Sequence, residues 1–221
     1  MFRLIFVLFI LLLFQGASIR KDEDWCKTMN KKSVDYIFNF QIKGDSAYLD
    51  SALVCTNIAL EGCSNLKVVL SYRKLDILSK KRKFSDAIYF LKSFDNPLLA
   101  DLPYYNNFLL YRYKAMDYHS KGDIVNRNKC LKAIMDEVQQ FILLNNDKMD
   151  SLYHSEDIKN ILQNPLHFAP IQYYYSKSIL YGSDNIKREL DSLQSTKKIN
   201  KEYINYMYVC MYNDFMDFVG Y

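Results

Sequence analysis

Apolar residues recur along this chain at steps of three and four, and short polar turns break the pattern at regular intervals. Residues 31 to 43 form a first candidate helix, with Val34, Ile37 and Phe38 as its apolar positions. Gly44-Asp45-Ser46 interrupts it, and Asp45 or Ser46 is placed to cap a second helix from Ala47 to about Glu61. That helix carries Leu49, Ala52, Leu53 and Ile58, and Gly62-Cys63-Ser64-Asn65 closes it. A third helix, from about Leu66 to Lys80, has Val68, Val69, Tyr72, Leu75 and Leu78. The turn Lys81-Arg82-Lys83 leads into a fourth, whose stripe is Phe84, Ala87, Ile88, Leu91 and Phe94. Asn96-Pro97 stops it, because proline lacks a donor and restricts the residue before it.

The fifth segment, Tyr104 to Ser120, sets Tyr104, Phe108, Tyr111, Ala115 and Tyr118 at steps of 4, 3, 4 and 3. Gly122-Asp123 ends it and starts another helix, to about Leu144, with Ile124, Leu131, Ile134, Val138 and Phe141 inward. Residues 145 to 166 read as an irregular polar loop holding at most a short helix at Glu156 to Leu162. Ile171 to Tyr181 and Asp184 to Leu193 make another hairpin around Gly182-Ser183, and Glu202 to Val219 is a last helix, apolar on most sides. The expectation is an all-α chain of stacked antiparallel helical hairpins.

A fixed-period repeat supports stacking. Tyr48 precedes Ser51-Ala52, Phe84 precedes Asp86-Ala87 after 36 residues, and Ile124 follows Gly122-Asp123 after 40 more. Tyr111, Ala115, Tyr118, Gly122, Leu131 and Ile134 follow the large, small, aromatic, glycine, aromatic and small pattern of the tetratricopeptide repeat. Leu75, Leu78, Phe84, Ala87 and Leu91 do the same one unit earlier. The chain therefore resembles that family, best over about 69–139. It departs from it at Arg127 (alanine expected), at Lys74 (leucine expected), and in a period longer than about 34 residues. The resemblance implies a right-handed solenoid over residues 31–221, a single domain whose first helices line a concave binding groove. Since a lone hairpin cannot bury its apolar face, the stack needs an end cap, and the helix at 202–219 fits that role.

The N-terminus changes the picture of where this happens. Met1-Phe2-Arg3, the apolar run Leu4 to Phe14 and the small residues Gly16-Ala17-Ser18 match a secretory signal peptide over 1–18, followed by an N-terminal segment 19–30. The run falls short of the roughly 20 residues that span a bilayer. The expected location is exported, periplasmic or extracellular, with membrane anchoring as the outcome if the leader is uncleaved. Loss of residues 1–18 removes only Arg3, so the net charge falls from +4 to +3 (4 − 1), too weak to imply nucleic acid. Six glycines and four prolines disfavour a β-sandwich or barrel. Cys26, Cys55, Cys63, Cys130 and Cys210 are an odd set without zinc-site spacing. Export permits disulfides, but spacing selects no pair, and Cys55 and Cys130 read as small core residues.

Catalytic signatures do not emerge. The chain has no GxSxG, phosphate loop, HExxH or calcium loop, and its histidines are His119, His154 and His167. No cofactor or structural metal is expected. The basic run Lys80-Lys83 reads as a solvated turn that can also touch an anionic membrane or acidic partner. If the repeat register holds, Tyr36, Phe40, Tyr72, Asp76, Arg112, Met116 and His119 face the groove, where Tyr, Met and Arg favour an interface. The expected function is a non-enzymatic module binding a protein or peptide partner. Two alternatives stand beside it: a periplasmic immunity protein that neutralises a delivered toxin, and a hydrolytic enzyme with its site in the 145–170 loop.

Overall fold

The computed structural model describes residues 23–93, 102–197 and 199–219. The leader at 1–18, Phe94 and the Asn96-Pro97 stop lie outside these residues. Among those described the chain is all helical, without a strand. It divides into two compact units, one through Ile77 and one from Leu78 onward.

The first unit is built on the hairpin of α1 (Glu23–Lys43) and α2 (Ala47–Gly62). A 3-10 turn, Ser64–Leu66, then leads into α3 (Lys67–Lys80), and α2 meets this last segment at a 118° bend. The first helix starts at Glu23, well before residue 31, so most of the expected N-terminal segment is helical. Its first turn carries Glu23 and Asp24, which favour a helix start by facing the positive end of the dipole. Asp45, not Ser46, opens α2, its Oδ1 accepting from the Ala47 amide at 2.9 Å.

Helix register in this unit differs from the apolar reading. Val34 and Phe38, expected inward, are 43% and 59% exposed, whereas Ser33 is fully buried. Small residues let the two helices approach. Ser33 Oγ stands 2.7 Å from Thr56 Oγ1, and Thr56 in turn donates to the Ala52 carbonyl at 2.8 Å. Leu49, Ala52 and Ile77 form one core cluster, against which Tyr36, Ile37, Phe40 and Leu53 pack. A second cluster holds Ala59, Leu70, Cys26 and Cys63, with Trp25, Met29, Leu60 and Leu66 around it. Cys26 and Cys63 are joined in a disulfide that closes a sequence separation of 37. It is the pair that spacing could not select.

The second unit contains α4 (Phe84–Ser93), α5 (Tyr105–Ser120), α6 (Ile124–Leu144), α7 (Asn146–Tyr153), α8 (Ile158–Gln163), α9 (Phe168–Tyr181), α10 (Ser183–Lys197) and α11 (Lys201–Val219). The expected irregular loop is thus largely helical. Helix α4 packs on α5 and α5 on α6, after which α9 packs on α6, and α10 and α11 on α9. Phe84, Ala87 and Leu91 are buried as their spacing demands, as are Leu131, Ile134 and Val138. Each fully buried large side chain contributes about 1.5–3 kcal/mol. The terminal helix touches α5 and α8 as well as α9 and α10, burying Tyr203, Ile204, Met207, Met211 and Phe218 while Val209 and Tyr212 stay exposed.

Two turns share one geometry. After α3, the Lys83 amide reaches the Leu78 carbonyl and the Arg82 amide the Ser79 carbonyl, both at 2.8 Å. After α5, Asp123 reaches Tyr118 at 2.9 Å and Gly122 reaches His119 at 3.0 Å. This is the Schellman closure, which sets one residue in the left-handed region. That residue is Gly122 at φ 73°, but Arg82 at φ 55° in the other turn. A side chain there is strained where glycine is not. Arg82→Gly is therefore expected to raise unfolding free energy by about 0.5–1 kcal/mol in urea titration, the sign opposite to an ordinary helix-end substitution.

Candidate functional site

Arg112, Met116 and His119 do share one face of α5, as their spacing requires, but that face is covered. Met116 is fully buried. The Arg112 guanidinium lies 5.2 Å from the centroid of the Tyr175 ring on α9. His119 stacks 5.0 Å from Phe218 of α11, which in turn stands edge-on to Tyr175 at 6.4 Å. The chain's own C-terminal helices thus occupy the side expected to be an open groove. Of the expected inner stripe, Tyr104, Phe108 and Ala115 are buried and Tyr111 and Tyr118 half-buried, and Leu109 and Tyr113 are buried beside them. In the first unit, Tyr72 and Asp76 are half-buried on α3, and Tyr36 and Phe40 pack on the Leu49 cluster.

Burial, then the positive charges of Arg127 and Arg82, hold the His119 pKa below the ordinary range. Cys130 is buried, which pushes its thiol pKa up and keeps it un-ionised. His154 sits exposed at the end of α7, its Nδ1 2.7 Å from the Asp150 carbonyl. No group of three or more His, Cys, Asp or Glu could hold a metal ion among the described residues.

His167 is buried, and its Nδ1 donates to the Asn164 carbonyl at 2.7 Å, so the second nitrogen carries the lone pair. That Nε2 is buried with no partner among the described residues. Protonation would place a charged N–H where nothing accepts it, and burial lowers the pKa although the Asn164 bond opposes this. A histidine depressed in the folded state binds its proton more readily when unfolded. Stability is expected to fall as pH drops through the unfolded value of about 6.5 and to level off below the folded one. Urea midpoints between pH 7.5 and 5 would check this, with the slope reduced in His167→Gln.

One feature that can accept a ligand is a pocket of about 280 Å³ in the second unit, between the end of α6, α7, the start of α9, α10 and α11; a wider cleft of about 640 Å³ opens between α9, α10 and α11, lined by Ile179, Lys187, Tyr208 and Tyr212 among others. Met149 and Tyr153 reach the smaller pocket from α7, and Pro170, Tyr173 and Tyr174 from α9. Leu190 and Leu193 line it from α10, and Tyr203, Ile204 and Met207 from α11. The sequence segment read as an irregular loop supplies the α7 wall through Met149 and Tyr153, and Leu152 is buried beside them at a step of three from Met149.

The pocket's charged groups are the carboxylates of Asp150 and Glu189, beside the Gln139 and Asn146 amides and the tyrosine hydroxyls. Asp150 stands on the exposed side of α7 and accepts a long 3.4 Å bond from Asn146. Glu189 is bridged by Lys177 at 2.7 and 2.9 Å. The Lys177 ammonium also lies 5.4 Å from the Tyr173 ring centroid and 5.8 Å from that of Tyr174. Burial would lower its pKa, but the Glu189 hydrogen bond and the Tyr173 and Glu189 charges hold it above the usual range. The phenols of Tyr153 and Tyr174 are raised, chiefly by burial, and beyond that by the Asp150 and Glu189 carboxylates respectively. They stay protonated donors. Tyr203 is committed elsewhere, donating to the His167 carbonyl at 2.8 Å. At the rim, Leu143 is 65% exposed.

No family model, curated protein or solved structure matches this chain.

Proposed function

We propose that this chain is an exported, non-enzymatic binding module, a tetratricopeptide-like stack of helical hairpins that holds a protein or peptide partner. The observation that carries the reading is the pocket between α6, α7, α9, α10 and α11, which joins aliphatic and tyrosine surface to amide, hydroxyl and carboxylate groups. Recognition sites in helical proteins have this composition: apolar surface for affinity and a few placed polar groups for orientation. The repeated Schellman turns at Arg82 and Gly122 support a repeat architecture. The Cys26–Cys63 disulfide supports export, since such bonds persist in oxidising compartments.

The proposed interface is this pocket, not the Arg112 face. The leader-free chain, residues 19–221, immobilised and exposed to envelope or secreted extract, is expected to retain a protein or peptide. Leu193→Trp, which fills the pocket, should lose it without lowering the melting temperature. Equal retention by both chains would put the interface elsewhere. A hydrolytic reading comes second, because Met149, Asp150 and Tyr153 place the pocket on the 145–170 segment. Turnover of a small molecule by the parent chain, absent from Leu193→Trp, would favour it.

A further inference from the structure

The charge of the pocket narrows what it takes. Among the described residues, its lining contains two carboxylates, Asp150 and Glu189, and no lysine, arginine or histidine. A cavity of one charge sign with low-dielectric walls focuses its field on a ligand of the opposite sign. The walls add tyrosine faces, which attract cations through their quadrupole. The unit already performs this recognition once. Lys177, which does not line the pocket, has its ammonium against the rings of Tyr173 and Tyr174 and its charge on Glu189. Glu189 is thereby neutralised locally, leaving Asp150, on the solvent-exposed side of α7, as the carboxylate for a ligand.

We infer that the pocket receives a lysine side chain of the partner: the aliphatic stem lies along Leu143 and Ile142, and the ammonium pairs with Asp150 beside the tyrosines. An ammonium on an unbranched stem suits such a site because the stem buries its methylenes while the head stays at the rim. A carboxylate or phosphate ligand would meet like charge and no counter-ion. The inference rests on the binding-module reading above and adds the identity of the group recognised.

The test uses the leader-free chain and three peptides that differ at one position: Ac-Ala-Lys-Ala-NH2, its Nε-acetyl-lysine analogue and its norleucine analogue. Binding is read by amide and tyrosine-ring chemical shifts at the pocket. The lysine peptide is expected to bind about five- to ten-fold tighter than either neutral peptide. That advantage should shrink with added salt. Asp150→Asn, an exposed change that leaves the core untouched, should remove most of the advantage and leave norleucine binding unchanged. Equal binding of all three peptides at these resonances overturns the lysine assignment while the binding pocket stands. Shifts with n-butylammonium as large as with the peptide, at the same concentration, overturn a peptide source in favour of a free amine. No shift at pocket resonances with any peptide overturns this inference, and retained partner capture that Leu193→Trp still abolishes would show that the binding reading survives it.

Discussion

Reduction of the Cys26–Cys63 bridge is expected to lower the stability of the unit that ends at Ile77 by about 3–5 kcal/mol, the range for a loop of this length. The bond ties the first turns of α1 to the corner after α2, closing a sequence separation of 37. In the unfolded chain that closure removes conformations; in the folded one both sulfurs sit in a cluster with Ala59 and Leu70. Cys63→Ala should show nearly the same loss, because it removes the same constraint. The measurement is urea unfolding with and without reductant, followed by a probe within residues 23–77. Identical midpoints would mean that the two thiols are not joined in the native chain. A loss in Cys63→Ala larger than on reduction would assign the excess to the small cavity left by the missing sulfur.

Much of the architecture could be read from turn chemistry. Gly122-Asp123 is where the sequence places it: Gly122 takes the left-handed turn, and Asp123 caps α6 by accepting from the Asn126 amide at 3.0 Å. Gly182, at φ 90° and ψ 144°, ends α9 differently, its amide donating to the Ser178 carbonyl at 2.9 Å. Two kinds of information were not local. Ser33 and Thr56 are buried because two helices must come close, a requirement that apolar periodicity ranks below Val34 and Phe38. Helix α7 reads as a loop because six of its eight residues are outside the core, and Met149 and Leu152 are too few to make a stripe. Arg112, Met116 and His119 share one face of α5 by their spacing. What covers it comes from α9 and α11, more than fifty residues later in the chain, and no pattern within α5 reports that. The pocket was invisible for the same reason, since five helices contribute to it.

The covered face gives the other large effect. Tyr175 is fully buried and meets the Arg112 guanidinium at 5.2 Å and the Phe218 ring at 6.4 Å. Tyr175→Ala is expected to cost about 3–5 kcal/mol in urea unfolding, as aromatic truncations in a closed core do. Arg112→Ala should cost less, about 1–3 kcal/mol, through lost packing of its stem as well as lost charge. The informative quantity is the coupling. Because the cation lies against the ring, the double variant should be less destabilised than the two single losses summed, by about 0.5–1.5 kcal/mol. An Arg112 directed into an open groove would behave otherwise: its truncation would leave the midpoint unchanged, and the cycle would close at zero. Partner capture separates the cases again. If α9 and α11 fill this face, Arg112→Ala at a temperature well below its melting point should bind the partner as the parent does, whereas Leu193→Trp should not.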